Sequence, residues 1–153
     1  MLTEEEKQEI KQELANSRNN RAACIEVLKI IQRSRGWVGD EIREIADILE
    51  MTPDELDSLA TFYSLIYRKP VGKHVILVCD GISCWVMGYE TVRDYLSSKL
   101  GIGIGETTRN GMFTMLPAAC LGACDHAPAM MIDDELYQDL EPGKIDEILK
   151  RYG

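Results

Sequence analysis

Along the first half of the chain, apolar residues recur every three or four positions. Cys24, Val27, Leu28 and Ile31 follow the i, i+3, i+4, i+7 spacing that sets four side chains on one helix face, and Ile42, Ile45, Ala46 and Leu49 repeat it. Two core-facing helices are predicted. Gly36 can end the first, and Gly39-Asp40 can open the second with Asp40 as N-cap. Thr52-Pro53-Asp54-Glu55 is a fuller start signal: Thr52 caps, Pro53 suits the first helical position and Glu55 reaches back to close a capping box. A further helix runs through Leu56, Leu59, Ala60 and Tyr63, and the charged segment 3–15 reads as one more, with ends that fray.

Lys69-Pro70-Val71-Gly72 interrupts this pattern, and the period changes beyond it. His74 to Cys79 (HVILVC) is a short apolar run rich in branched residues, the mark of a buried strand. Residues 85–100 return to a helical pattern, with Val92, Leu96 and Leu100 on one face and Gly101 as the stop. Asn110-Gly111 signals a turn before a strand from Met112 to Leu116. A third strand covers Ala129 to Ile132. Asp133-Asp134 then turns the chain into a short fourth near Leu136-Tyr137, and Glu141-Pro142-Gly143 opens a last helix through Ile145, Ile148 and Leu149. The expected fold is α+β: a helical bundle over residues 1–69, then a thioredoxin-like mixed sheet with flanking helices over residues 70–153.

Composition narrows the function. At 153 residues the chain fits one domain or two small ones, and 45% hydrophobic residues support a real core. The 26 acidic residues outnumber 17 basic ones, and the net charge of −9 repels phosphate backbones and anionic membranes. Residues 38–68 hold eight acidic and two basic side chains, so the helical region is no helix-turn-helix reader of DNA. That acidic surface reads as a solvated face, a reading an exposed apolar patch would change. The start, MLTEEEKQEIKQEL, lacks the basic and apolar segments of a signal peptide, and no apolar run approaches the roughly 20 residues of a membrane span. A cytosolic chain with reduced thiols is expected, and five cysteines then point to metal or redox chemistry.

Four of those cysteines form two pairs. Cys79 and Cys84 are spaced C-x4-C, Cys120 and Cys124 C-x3-C, with 35 residues between. Cys79 ends the first strand, Cys84 opens the following helix, and the second pair lies in the loop leading to the third strand, so two loops at one end of a sheet can converge. Four converging thiolates hold either a zinc ion or a [2Fe-2S] cluster. Zinc favours tighter C-x2-C knuckles, and the longer spacers give each pair room to grip one iron of a cluster. Gly81 and Gly122 allow backbone N–H groups to approach the sulfurs, whereas Asp80 and Asp125 beside the ligands disfavour extra negative charge. The expected potential is on the order of a few hundred millivolts negative.

The other candidates read as structural. Cys24 sits on an apolar helical stripe and is expected in the core. Cys124-Asp125-His126 offers half of a Rieske ligand pair without its second half, which leaves His126 outside the ligand set. Thiol-disulfide exchange favours a C-x-x-C, which is absent, and Gly101-Ile102-Gly103-Ile104-Gly105 follows a helix and reads as a turn instead of a dinucleotide fingerprint. Ala127-Pro128 invites a cis bond by analogy with thioredoxin-like folds, with trans as the default.

Cys79-x4-Cys84 followed by Trp85-Val86-Met87-Gly88, with Cys120-Leu121-Gly122-Ala123-Cys124 and then Ala127-Pro128, resembles a known family. It is the thioredoxin-like [2Fe-2S] ferredoxin family, the [2Fe-2S] subunits of bacterial NADH:quinone oxidoreductase, respiratory complex I. The stretch from Arg21 to Ile66, including Ala60-Thr61-Phe62-Tyr63-Ser64, is similar to that family's helical N-terminal region, so the resemblance covers nearly the whole chain. It implies one [2Fe-2S] cluster on Cys79, Cys84, Cys120 and Cys124, and no catalytic residue or substrate site in this chain. It implies electron exchange with the flavin of an NADH-oxidising partner subunit, packing beside other peripheral-arm subunits, and no direct membrane insertion. With no organellar presequence, the resemblance implies a bacterial protein on the cytoplasmic side, peripheral to the membrane through its complex. Similar subunits serve NAD-linked hydrogenases and formate dehydrogenases, and a zinc-stabilised interaction module is the alternative of another class.

Overall fold

A computed structural model describes residues 1–153. The chain divides into two compact units, Met1–Pro70 and Val71–Gly153.

The first unit holds helices α1 (Glu4–Asn16), α2 (Asn20–Arg35), α3 (Ile42–Leu49) and α4 (Pro53–Phe62). Every residue of the two predicted stripes is buried, and Ile10, Leu28, Ile31, Ile45, Leu49 and Leu56 are the large side chains at the centre of this core. Each such side chain stabilises the unit by roughly 1.5–3 kcal/mol through apolar burial. Gly36 ends α2 in the left-handed conformation at φ 83°, and its N–H donates to the Gln32 carbonyl. The Thr52–Glu55 capping box forms as expected, and a second box, Thr3–Glu6, fixes the start of α1. Asp40 does not cap α3. Residues 39–41 form a turn whose carbonyls accept from the first helical N–H groups, so the helix starts after Glu41 without a side-chain cap. Cys24 is buried in the core, and burial raises its thiol pKa. Beyond α4, the Gln32 side chain donates to the Leu65 carbonyl and accepts from the Tyr67 N–H, while Ile66 is buried and Phe62, Tyr63 and Leu65 are exposed.

The second unit runs β1 (His74–Cys79), α5 (Ile82–Met87), α6 (Tyr89–Leu100), β2 (Phe113–Ala118), β3 (Met130–Ile132), β4 (Glu135–Tyr137) and α7 (Pro142–Leu149). The sheet order is β2-β1-β3-β4, with β1 parallel to β2, and β3 antiparallel to both β1 and β4. This is the expected α+β, thioredoxin-like arrangement. Val75 to Cys79 are all buried, as the unbroken apolar run of a central strand requires. Ile76 and Val78 pack with Val92, Leu96, Met115, Met130, Ile132 and Ile145 into one core. Pro117 lies within β2, an edge strand whose outer side is bridged only at Thr114, by Thr107, short of the proline. The helix expected over residues 85–100 is two helices. It starts earlier, at Ile82, and breaks at Gly88, whose φ of 120° only glycine adopts readily.

Candidate functional site

Both cysteine-bearing loops leave the same end of the sheet because β1 and β2 are parallel, with Cys79 opposite Ala118. The backbone of Cys79 is held at the strand end: its N–H donates to the Ala129 carbonyl, and the next N–H, of Asp80, donates to the Ala118 carbonyl. Gly81 then turns the chain into α5. A Cβ there would lie 2.8 Å from the Ala119 carbonyl oxygen and 3.6 Å from the Cys79 sulfur, so glycine is what lets the two loops close on each other. Cys84 occupies the third position of α5, within its first turn, and is buried with Cys79, Ala123, Ala127 and Ala129 in a small cluster.

The second pair sits where β2 gives way to a 3₁₀ turn, Cys124–His126. Cys120 and Cys124 are exposed with their sulfurs 3.7 Å apart. Two thiolates on one tetrahedral metal, at bonds of about 2.3 Å, stand about that far apart. The Gly122 N–H donates to the Cys120 sulfur at 3.3 Å. Gly122 serves by its φ of 77° and not by lack of bulk, since a Cβ there would meet open space. That corrects the steric role expected for it.

Three of the four thiols are shifted by their neighbours. Cys84 is pushed up to about 11 by burial, by its hydrogen bond with Cys79 and by the charges of Cys79 and Cys124. Cys124 is raised by its hydrogen bond with Cys120 and that thiolate's charge, with a small opposing contribution from the Ser83 hydroxyl. Cys120 is lowered, because the Gly122 N–H and the Cys124 thiol both donate to it. Thiols that repel charge in this way suit a cationic centre, which removes the repulsion by binding thiolates directly. The thiols meet as two pairs, Cys79 with Cys84 and Cys120 with Cys124. Two pairs about one patch fit the two-iron cluster.

His126 points away from a ligand role: its Nδ1 lies 3.0 Å from an Asp139 carboxylate oxygen and its Nε2 3.7 Å from Asp125. Asp80 and Asp125 are exposed beside the cysteines. The Ala127–Pro128 bond is cis, against the trans default. Two contributors escaped sequence reasoning, Ser83 and the Ala119 carbonyl. The first carried a signal, a hydroxyl between two cysteines; the second, a backbone atom, carried none.

Comparison with known proteins finds both sequence relatives and a structural neighbour. The family model described as thioredoxin-like [2Fe-2S] ferredoxin matches residues 10–153. A subunit of the NADH-quinone oxidoreductase of Pseudomonas aeruginosa is 45% identical over 153 residues, covering 99% of this chain and 92% of the relative. Its counterpart in Escherichia coli is 46% identical over 152 residues, with 99% and 92% covered. Among solved structures, an NAD+-reducing [NiFe]-hydrogenase in the air-oxidized state matches with a TM-score of 0.70 at 21% identity, over 82% of this chain and 22% of that longer one. At that identity the likeness concerns the fold.

Proposed function

The chain belongs to the thioredoxin-like [2Fe-2S] ferredoxin family, and on that premise we propose that it is the electron-transfer subunit of an NADH:quinone oxidoreductase. Its Cys79, Cys84, Cys120 and Cys124 hold one [2Fe-2S] cluster that exchanges an electron with the flavin of the NADH-oxidising partner. The carrying observation is the pairing of thiols at one sheet end, with the Cys120 and Cys124 sulfurs at a metal-edge separation of 3.7 Å. The two NADH-quinone oxidoreductase relatives, about 45% identical over nearly their full length, support the assignment to that complex.

When bound, a [2Fe-2S] cluster accepts and returns one electron, within a potential range tuned by charge, hydrogen bonds to sulfur and exposure. The residues of the chain do the rest. β1, paired on both sides, fixes the backbone of Cys79 at the end of the sheet. Burial of Cys79 and Cys84 keeps water from that side, while the exposed Cys120 and Cys124 leave the other side open to a partner. Gly122 N–H offsets negative charge on the Cys120 sulfur. The Cys84 thiol carries a proton at neutral pH, which it must release when it becomes a ligand. No residue needs a role as acid, base or nucleophile, and the chain has no substrate site of its own.

The reading extends to organisation. The helical part, residues 1–69, and the ferredoxin part, residues 70–153, are separate domains, and other peripheral-arm subunits pack about them. The chain works at the cytoplasmic face, held to the membrane only through its complex; no helix is long and apolar enough to cross a bilayer. With a [2Fe-2S] cluster bound, the four cysteines would give a second flavin electron a place to reside and so limit the reaction of flavin with oxygen. Cys120→Ala in an assembled complex is therefore expected to raise peroxide production, and unchanged peroxide would sink that role.

One experiment tests the core of the reading. Anaerobically purified chain is expected to be brown, with two irons and two acid-labile sulfides per chain and a paramagnetic resonance signal after reduction. A colourless protein with about one zinc after anaerobic reconstitution would instead support a zinc-stabilised module. A second redox reading is the equivalent subunit of an NAD-linked hydrogenase or formate dehydrogenase, which the same cysteine motifs also serve. Identification of the co-purifying subunits separates the two.

A further inference from the structure

The four paired cysteines do not stand alike toward solvent. Cys79 and Cys84 are 3% and 2% exposed, whereas Cys120 and Cys124 lie open. The inner thiols pack with Ala123, Ala127 and Ala129, and Leu121 and Tyr89 lie against that cluster. Leu121 and Ala123 belong to the loop between Cys120 and Cys124, so the loop that carries the outer pair also covers the inner one. Its start is drawn in tightly, since a Cβ at Gly81 would come within 2.8 Å of the carbonyl oxygen of Ala119, the residue before Cys120. The outer pair has the geometry of a metal edge: its sulfurs are 3.7 Å apart, and the Gly122 N–H donates to the Cys120 sulfur at 3.3 Å.

Access decides the order in which these thiols can act. A cluster that still carries its donor's thiolates is too bulky to pass a close-packed cover of alanines, and exposed thiols react where buried ones stay inert. Resting on the cluster assignment made above, we propose that Cys120 and Cys124 are the entry pair, which takes a [2Fe-2S] cluster from a thiolate-ligated donor, and that Cys79 and Cys84 close on it second, after the Leu121–Ala123 cover has shifted. Both stages are ligand exchange without change of oxidation state. Cys120 and Cys124 each form an iron–sulfur bond as one donor thiolate leaves the same iron, and each gives its thiol proton to the departing thiolate. Cys79 and Cys84 then do the same at the other iron. Two donor thiols are released in each stage, and the iron and sulfide of the donor pass over unchanged.

The test uses the full chain, reduced and anaerobic, with a glutathione-ligated [2Fe-2S] cluster as donor. Transfer is followed by visible circular dichroism, by released thiol and by native mass spectrometry. The unmodified chain shows a first phase that quickens with donor concentration and releases two thiols, then a second phase, independent of donor concentration, that releases two more. A chain with Cys79→Ala and Cys84→Ala keeps the first phase and stops there with two glutathiones still bound. A chain with Cys120→Ala and Cys124→Ala slows capture by at least about tenfold, as loss of the accessible thiols requires. Leu121→Ala, which thins the cover, speeds the second phase and leaves the first unchanged. Release of all four thiols in one phase, or capture at the unmodified rate by the chain lacking the outer pair, overturns the order and leaves the cluster assignment standing. Should either double variant fail to fold, Leu121→Ala decides, and an unchanged second phase in that variant overturns the proposal. A chain that builds its cluster from iron and sulfide but takes none from the donor also sinks the entry pair alone, whereas a chain that holds no cluster by either route sinks the functional reading with it.

Discussion

At the scale of single residues, the site depends on two glycines for different physical reasons. Gly81 is needed for space, since any side chain meets the Ala119 carbonyl, a backbone atom that cannot swing away. Gly122 is needed for its left-handed φ, which costs an L-residue roughly 1–2 kcal/mol. Gly81→Ala and Gly122→Ala are both expected to reduce the iron retained per chain, measured by visible absorbance after anaerobic gel filtration. Gly143→Ala, in open space inside α7, is expected to retain the full amount and to stabilise the fold by up to about 1 kcal/mol. Equal iron in all three variants would contradict these roles. The cysteine spacing and the neighbouring glycines were legible as letters. The Gly122 conformation was not, because φ is set by how the loop closes.

At the scale of elements, α1 is fastened to α2 by one largely buried charge. Glu6 is 6% exposed and accepts from Arg35 and Ser34 as well as from the Thr3 backbone. Arg35, chiefly through its hydrogen bond, lowers the Glu6 carboxyl to about 2 despite the opposing effect of burial. A carboxyl lowered on folding stabilises the fold above its unfolded value of 4.5, and that contribution fades as pH falls toward 2. The linkage is worth about 3 kcal/mol at neutral pH. Glu6→Gln is therefore expected to lower stability at pH 7 by an amount of that order and to flatten its loss between about pH 5 and pH 2. Denaturant titrations followed by circular dichroism at each pH check this; a parallel pH profile in the variant would refute it. Thr52→Ala, which removes one side of the α4 capping box, is expected to cost about 1 kcal/mol in the same assay. The Thr52 box was readable as a local pattern, whereas the Glu6–Arg35 pair joins residues 29 apart and needed the helices to be packed.

At the scale of the whole molecule, two hydrophobic cores share no residue, and all four paired cysteines lie in the second unit. That unit has its own sheet, its own crossover helices and its own thiols. A fragment of residues 71–153 is expected to fold and to reconstitute a cluster with the absorbance and paramagnetic resonance of the full chain. An iron-free or unfolded fragment would show that the proposed domain division does not hold.

What the linear chain determined was whatever short-range chemistry decides. Apolar period distinguished the helical part from the strand-bearing part, Thr52-Pro53 and Gly36 marked helix ends, and the two cysteine spacings favoured a [2Fe-2S] cluster over zinc. The break at Gly88, the αL turn at Gly122, the cis Ala127–Pro128 bond and the uncapped start of α3 were decided by tertiary structure. Each is a backbone conformation that the spacing of residue types along the chain leaves open. The same holds for the convergence of Cys79 and Cys84 with Cys120 and Cys124. Their pairing across the sheet end follows from the parallel register of β1 with β2, a long-range hydrogen-bond pattern that no local window contains.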